Sequence, residues 1–457
     1  MYSKIKPLFY ACVGWLFLAP TLALAGSVIR DAEIEATLRA YANPIFMEAG
    51  IPPEDVRLFI VNDPSVNAFV AGGLNMFLHT GLIREAKKPG MLIGVIAHET
   101  GHIAGAHLSQ LRAQSTRAML GGVIGTLIGA AAVAGGAGET GVGIIAGSQN
   151  MAMRNFLSGI RVNEQSADHA ALSYLDALDI SASGMFEMFQ LLRRNERGVR
   201  ADPYLVTHPL SQERMATVRN HVRASRIPKD QVPEAFIEMH ARMLAKLMAF
   251  TESLEAVNRR YPASDNSLPG RYARAIAAFR ANQLEEALRL MQSLKKARPN
   301  DPFFYDTEGQ ILFESGKLRQ AEAAYARAHS LLPDSALIMT DYAKTLLATE
   351  DASRLHEAIK LLEQAIERDD SNGFTWRQLA IAYGRQGNLA RSYLALAQEA
   401  SVNGDTDTTL QHLARVRALP SLSPSESLEA DDLERDTRDL RERQKEQDGL
   451  FLAPHVH

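Results

Sequence analysis

The stretch "AHETGHIAGAHL" (97–108) gathers three histidines and a glutamate within twelve residues. On a helix, residues four apart share a face, so His98 and His102 can aim both imidazoles at one metal ion. Glu99 stands at the edge of that face, where its carboxylate can take a proton from a water the ion has made acidic. Residues of these types at this HExxH spacing suit metal-assisted hydrolysis of a carbonyl bond.

Two protein ligands do not complete such a site. The nearest histidine, His107, falls five residues beyond His102, about 500° of helical rotation, or about 140° from it around the axis. On a continuing helix it points away from the ion. Gly105 precedes it by two residues, whereas metal sites that bend the chain at a glycine place their third histidine three residues after. His107 is therefore expected at the surface or behind a ligand. The other candidate is Glu164 in "NEQSAD". The pattern places it at the opening of a helix over 162–178, with Asp168 about one turn later on the same face. His98, His102 and Glu164 would form a two-histidine, one-glutamate site with an open fourth position. Asp168 would accept from a ligand histidine and fix its tautomer. The competing reading of Glu164 is an exposed carboxylate favoured by the dipole of a helix start.

The elements that must hold these residues lie between about 27 and 262, where strand and helix signals mix. "VRLFIVND" (56–63) and "NMFLHTGL" (75–82) read as strands. Residues 90–108 have helical spacing, as do 162–178 and 185–194. Residues 118–146 carry one charge, Glu139, and nine glycines. That many glycines argue against one firm spanning helix and favour a mobile hairpin or short buried helices, with peripheral membrane contact left open.

After "YPASDNSLPG" (261–270) the pattern becomes helical throughout and periodic. Ala275 and Gly309 are 34 apart, and Ala287, Ala321, Ala358 and Ser392 follow one another at 34, 37 and 34. With Pro299 and Pro333 closing units, and Trp376, Leu379, Ala380, Tyr383 and Gly387 opening the last, this is the tetratricopeptide period and residue pattern. The tail from 421 reads as a charged, solvated helix with a frayed end, and His455 and His457 as terminal residues without a ligand role.

Composition bounds the rest. With 46 % hydrophobic and 22 % charged residues the chain is globular, and its net charge of -4 leaves no basic footprint for nucleic acid. "MYSKIK" followed by an apolar run and Ala23-Leu24-Ala25 is a cleavable export signal, cut after Ala25. The single cysteine, Cys12, lies inside that segment, so the remaining chain has no disulfide and no thiolate ligand. Any metal must be held by His, Asp or Glu, a set that favours one Zn²⁺ per chain.

Taken in order, "VNAFVAGGLNMFLHTGLI", "HETGH", "NEQSAD" and "THPLSQER" resemble the HtpX-like zinc metallopeptidases. The resemblance implies an α+β zincin-like peptidase domain, mostly helical with a small sheet, followed by an all-α tetratricopeptide solenoid. The corresponding segments are a signal peptide (1–25), peptidase (26–262), repeats (263–420) and charged tail (421–457). It makes His98, His102 and Glu164 the zinc ligands and Glu99 the general base. Ser166 stands where relatives carry another acidic residue. His208 gains one of two roles: donating to the oxyanion of the tetrahedral intermediate, or occupying the fourth zinc position. Arg214 could support that charge or hold the loop. Asn67, Phe69, Gly72 and Gly73 precede a strand whose edge could bind a peptide, with His79 a strand residue without a metal role.

With the export signal and the repeats, the resemblance implies a periplasmic endopeptidase acting on misfolded or stalled outer-membrane proteins. The repeats would then dock substrate or the β-barrel assembly machinery. The alternatives are a repeat-based chaperone or adaptor with a latent protease, and a membrane-embedded protease that depends on 118–146.

Overall fold

The computed structural model describes residues 28–107, 109–110, 113, 126–128, 138–195, 204 and 208–451. The expected signal peptide, most of 118–146, and His455 and His457 lie outside the described residues. Residues 24–248 and 249–457 form two compact units.

In the first unit a short strand β1 (Val28–Ile29) leads into helix α1 (Ala32–Glu48), which Asp31 caps by accepting from the backbone N–H of Glu33 and Ile34. Ile34, Leu38, Tyr41, Ala42 and Ile45 recur at helical spacing and are all buried. Strands β2 (Arg57–Val61), β3 (Ala68–Ala71) and β4 (Asn75–His79) complete a four-stranded sheet of order β1-β2-β4-β3. β2 and β4 run parallel, with Ile60 opposite Leu78, and the other two pairs are antiparallel. The strand expected over 75–82 therefore stops at His79. The chain turns there into α2 (Thr80–Glu85) because the Thr80 hydroxyl and Gly81 N–H both donate to Asp63 O, at 2.8 and 2.9 Å.

Helix α3 (Pro89–Ala104) follows, started by a proline whose missing N–H would have been unpaired in any case. Leu92, Ile93, Ile96 and Ala97 bury its inner side. Next come α4 (Gly138–Ala177), α5 (Ser183–Asn195), α6 (Gln212–Ala224) and α7 (Glu234–Thr251). α4 is a correction to the sequence reading. Its 40 residues begin 24 residues before the expected start, so residues 138–146 are its first turns and Glu164 lies well inside it. A helix-start dipole cannot explain that carboxylate. α4 buries Ala167, Ala171, Leu172 and Leu175 along one face, packed on α3. At the crossing, Gly101 allows main chain to meet main chain: a Cβ there would sit 2.8 Å from Ala167 O and 2.9 Å from its Cα.

The second unit is helical. After α8 (Leu254–Arg260) come the antiparallel pairs α9 (Leu268–Arg280) with α10 (Leu284–Ala297), and α11 (Pro302–Glu314) with α12 (Leu318–Leu331). They continue as α13 (Ala336–Ala348) with α14 (Leu355–Arg368), and α15 (Gly373–Gln386) with α16 (Leu389–Val402). Ala275, Ala287, Ala321, Ala343 and Ala358 are fully buried where the helices of each pair cross, the reason small residues recur. The one spacing of 37 has a local cause. A 3₁₀ turn, Ala352–Arg354, is inserted ahead of α14.

Past α17 (Thr406–Arg417) the tail forms α18 (Pro424–Phe451), and here too the structure corrects the sequence reading. α18 is charged but not solvated all round. Ala430 and Leu433 join Leu394, Ala397, Leu413 and Val416 in a small core, and Thr437, one turn on, is buried too. Among the described residues no helix is long and apolar enough to cross a membrane.

Candidate metal centre

Three elements converge at the site. α3 supplies His98, Glu99 and His102 from one turn, α4 supplies Glu164 and Asp168, and α6 with the segment before it supplies Arg214 and His208. One ligand atom from each of His98, His102, Glu164 and His208 lies within 4.8 Å of the others. His98 Nε2 is 3.1 Å from His102 Nε2, and each is 3.4 Å from a Glu164 carboxylate oxygen. His208 Nδ1 is 3.0 Å from Glu164 Oε1, and its Nε2 is 3.5 Å from Glu99 Oε1.

The surroundings fix how these groups face. His98 Nδ1 lies 2.9 Å from Asp168 Oδ1, which keeps the ring proton on that side and turns the Nε2 lone pair into the cluster. Arg214 forks onto Asp168 through Nε (2.6 Å) and Nη2 (2.8 Å), and its Nη1 reaches Pro209 O at 3.1 Å and Glu164 Oε2 at 2.6 Å. Its guanidinium rests over the Phe189 ring, 5.1 Å from the centroid.

The charges respond to burial and to one another. Burial alone would lower His98, but the carboxylates of Asp168 and Glu164 overcome it and raise its pKa to about 9. Burial, aided by the charges of His98 and His208, brings His102 down to about 4 despite its bond to Glu164. Glu164 is held well below the usual carboxylate range, because its three histidine neighbours outweigh burial.

A divalent cation fits this donor set. Two imidazole nitrogens 3.1 Å apart, both facing a carboxylate, are the kind of nitrogen and oxygen donors that such an ion takes. Glu99 is fully buried, yet neither of its oxygens has a hydrogen-bond partner, nor has His208 Nε2. Buried polar atoms of that kind normally have one.

The structure thus brings together His98, Glu99, His102, Glu164, Asp168, His208 and Arg214. It places the other predicted residues elsewhere. Phe69 lies on β3, stacked on Phe77 with centroids 4.9 Å apart; Asn67 precedes that strand, and Gly72 and Gly73, both at positive φ, turn it into β4. His79 closes β4 with Nδ1 2.9 Å from Ser65 Oγ. Two further residues neighbour the cluster: Tyr204, which sequence reasoning missed, and His107, expected at the surface or behind a ligand and found buried behind His102. Tyr204 lays its ring 4.6 Å from that of His208, and His107 Nδ1 approaches His102 Nδ1 to 3.0 Å. For His107 the signal was present: Gly105 and Ala106 end the helix, so the helical wheel that turned the ring away does not extend to it.

Residues 29–222 match the model of Peptidase family M48. The chain is 26 % identical to the Beta-barrel assembly-enhancing protease of Escherichia coli (strain K12) over 395 residues, 85 % of this chain and 80 % of that one. It is 25 % identical to the protein of that name from Yersinia pestis over 440 residues, 93 % of this chain and 88 % of that one. Among solved structures, that of MamA is 15 % identical and covers 38 % of this chain and 96 % of its own, with a TM-score of 0.29. The match to Peptidase family M48 thus spans the HETGH turn of α3 and the carboxylates of α4 that face it.

Proposed function

We propose that this chain is an exported, zinc-dependent endopeptidase that works in the periplasm on outer-membrane β-barrel proteins whose assembly has stalled. The observation that carries the reading is Glu99, a fully buried carboxylate neither of whose oxygens is hydrogen-bonded, beside a His98, His102 and Glu164 donor set. A Zn²⁺ held by His98, His102 and Glu164 would supply the positive charge that makes a water acidic and polarises a carbonyl. Glu99 would serve as the base that takes a proton from the attacking water and returns it to the leaving amine. Asp168 and Arg214 keep the ligand rings and the His208 segment in place. His208 stands on the remaining side, where Nε2 can donate to the developing oxyanion or, at rest, fill the fourth ligand position.

Substrate enters as an extended chain. Among the described residues β3 pairs on one side only, so a peptide laid along Ala68–Ala71 would gain main-chain hydrogen bonds beside Asn67 and Phe69. The repeats, assigned to 263–420, hold the client protein or the barrel assembly machinery, and Phe374, Ile381 and Leu389 offer exposed apolar contacts there. Those contacts also support a second reading, a repeat-based chaperone or adaptor in which the protease is largely latent. The working name of the relatives, the enhancement of β-barrel assembly, suits either.

Metal analysis of the purified chain, with cleavage of an unfolded outer-membrane protein measured before and after chelation, tests the proposal. About one Zn²⁺ per chain and cleavage restored by adding it back are expected. Cleavage that persists in metal-free protein overturns it.

A further inference from the structure

His107 is absent from the donor set, yet three consecutive residues are arranged to bring its ring back to it. Helix α3 ends at Ala104, and Gly105 serves as its cap. Ala106 then takes φ 49°, the left-handed region that a residue with a Cβ enters at a cost. This reverses the chain enough to bury His107, with its ring 5.0 Å from that of His102 and nearly perpendicular to it. Gly105 leaves the room: a Cβ at that position would lie 2.2 Å from His107 Nε2 and 2.6 Å from its Cδ2. A left-handed alanine and a glycine that leaves room for the ring are an elaborate local arrangement for a surface histidine.

The contact it produces is Nδ1 to Nδ1, at 3.0 Å. A neutral imidazole has one N–H and one lone pair. If His102 turns its Nε2 lone pair to the cluster, beside His98 Nε2 at 3.1 Å, its Nδ1 must carry the proton and needs an acceptor. His98 meets the same demand with the Asp168 carboxylate, 2.9 Å from its own Nδ1.

We propose that His107 is a positioning residue for the metal centre: its Nδ1 accepts the Nδ1–H of His102 and so holds the His102 Nε2 lone pair on the ion. The inference rests on reading the cluster as a metal centre. Each ligand histidine of α3 then has a partner on its far nitrogen, a carboxylate behind His98 and a neutral imidazole behind His102. His107 keeps its own proton on Nε2, under Gly105. The role is distinct from filling space, because a ring of the same size without an acceptor cannot perform it.

The test is Zn²⁺ affinity of the full chain, measured by competition with a chelating dye, together with the melting temperature of the metal-free protein. His107→Phe keeps the bulk and removes the acceptor, and is expected to weaken binding about 10- to 100-fold with little change in metal-free melting. His107→Gln returns an acceptor and is expected to recover most of the affinity. Gly105→Ala leaves His107 in the sequence but displaces its ring, and is expected to behave as His107→Phe, which keeps the test decisive if the phenylalanine variant does not fold. Wild-type affinity in His107→Phe or in Gly105→Ala overturns the inference, as does a His107→Gln protein as weak as His107→Phe. A wild-type chain that takes up no Zn²⁺ overturns instead the metal-centre reading on which it rests.

Discussion

Arg214 meets Asp168 through two parallel bonds, Nε to Oδ2 at 2.6 Å and Nη2 to Oδ1 at 2.8 Å, with both side chains buried. The fork matches guanidinium to carboxylate, holding Asp168 below its usual range against burial and raising Arg214. Without it a buried charge stands uncompensated, and Arg214→Ala should lose about 3–5 kcal/mol of stability. Arg214→Lys keeps the charge but not the fork and should recover only part. Urea unfolding of the metal-free proteins decides this, and a loss under about 1 kcal/mol, typical of an exposed pair, would show that the fork is not structural.

Glu99→Gln should leave Zn²⁺ content unchanged and lower cleavage about 10²- to 10⁴-fold, the range for a lost general base. It also separates the two functional readings. An adaptor with a latent protease would keep its effect on barrel assembly in this variant, whereas a protease-dependent function would disappear with cleavage.

His208→Ala should change turnover without emptying the metal site, since His98, His102 and Glu164 remain as ligands. A fall in kcat points to oxyanion support, and a rise points to a ring that had closed the site. Elemental analysis showing a metal-free variant would refute the oxyanion role and make the ring a ligand that the site cannot spare.

Gly101→Ala tests the crossing of α3 and α4. The added methyl meets Ala167 O and Cα, main-chain atoms that no rotamer change can clear. The helices should move apart, lowering both the melting temperature and the Zn²⁺ affinity, because Glu164 rides on α4. Wild-type values for both would show that the helices yield more easily than their packing implies.

His240 gives a prediction in pH. Its Nε2 lies 2.6 Å from Ala86 O and its Nδ1 3.3 Å from the Tyr41 hydroxyl, deep in the first unit. Burial holds its pKa below the usual 6.5 despite the Ala86 bond. The folded state therefore binds fewer protons than the unfolded one, and this stability is present above pH 6.5 and is lost as pH falls toward the folded pKa. In His240→Gln the decline of melting temperature between pH 7 and pH 5 should become shallower, and an unchanged slope would exclude His240 as its source.

What could be read from the sequence follows from how locally each feature is encoded. His98, Glu99 and His102 depend only on helical spacing within one turn, and the repeats on residue types recurring every 34 positions. Glu164 and Asp168 could be paired with each other by the same spacing. Their place opposite His98 depends on the α3–α4 crossing at Gly101, which no local pattern encodes. The start of α4 was hidden because its first turns are glycine-rich, and propensity there argues against the helix the chain adopts. The burial of α18 was hidden for the opposite reason. Its apolar stripe is so narrow, Ala430 and Leu433 amid charge, that composition masks it.

The main-chain contact between Gly101 and Ala167 also separates two properties that are usually entangled in a protein core. The spacing of Glu164 from the two histidines is set by backbone against backbone, not by side chains that can repack. Substitutions among the surrounding leucines and isoleucines can thus raise or lower the melting temperature while leaving the bite of the metal site unaltered. Residues 29–222 can change widely in sequence and keep one fixed gauge at their centre.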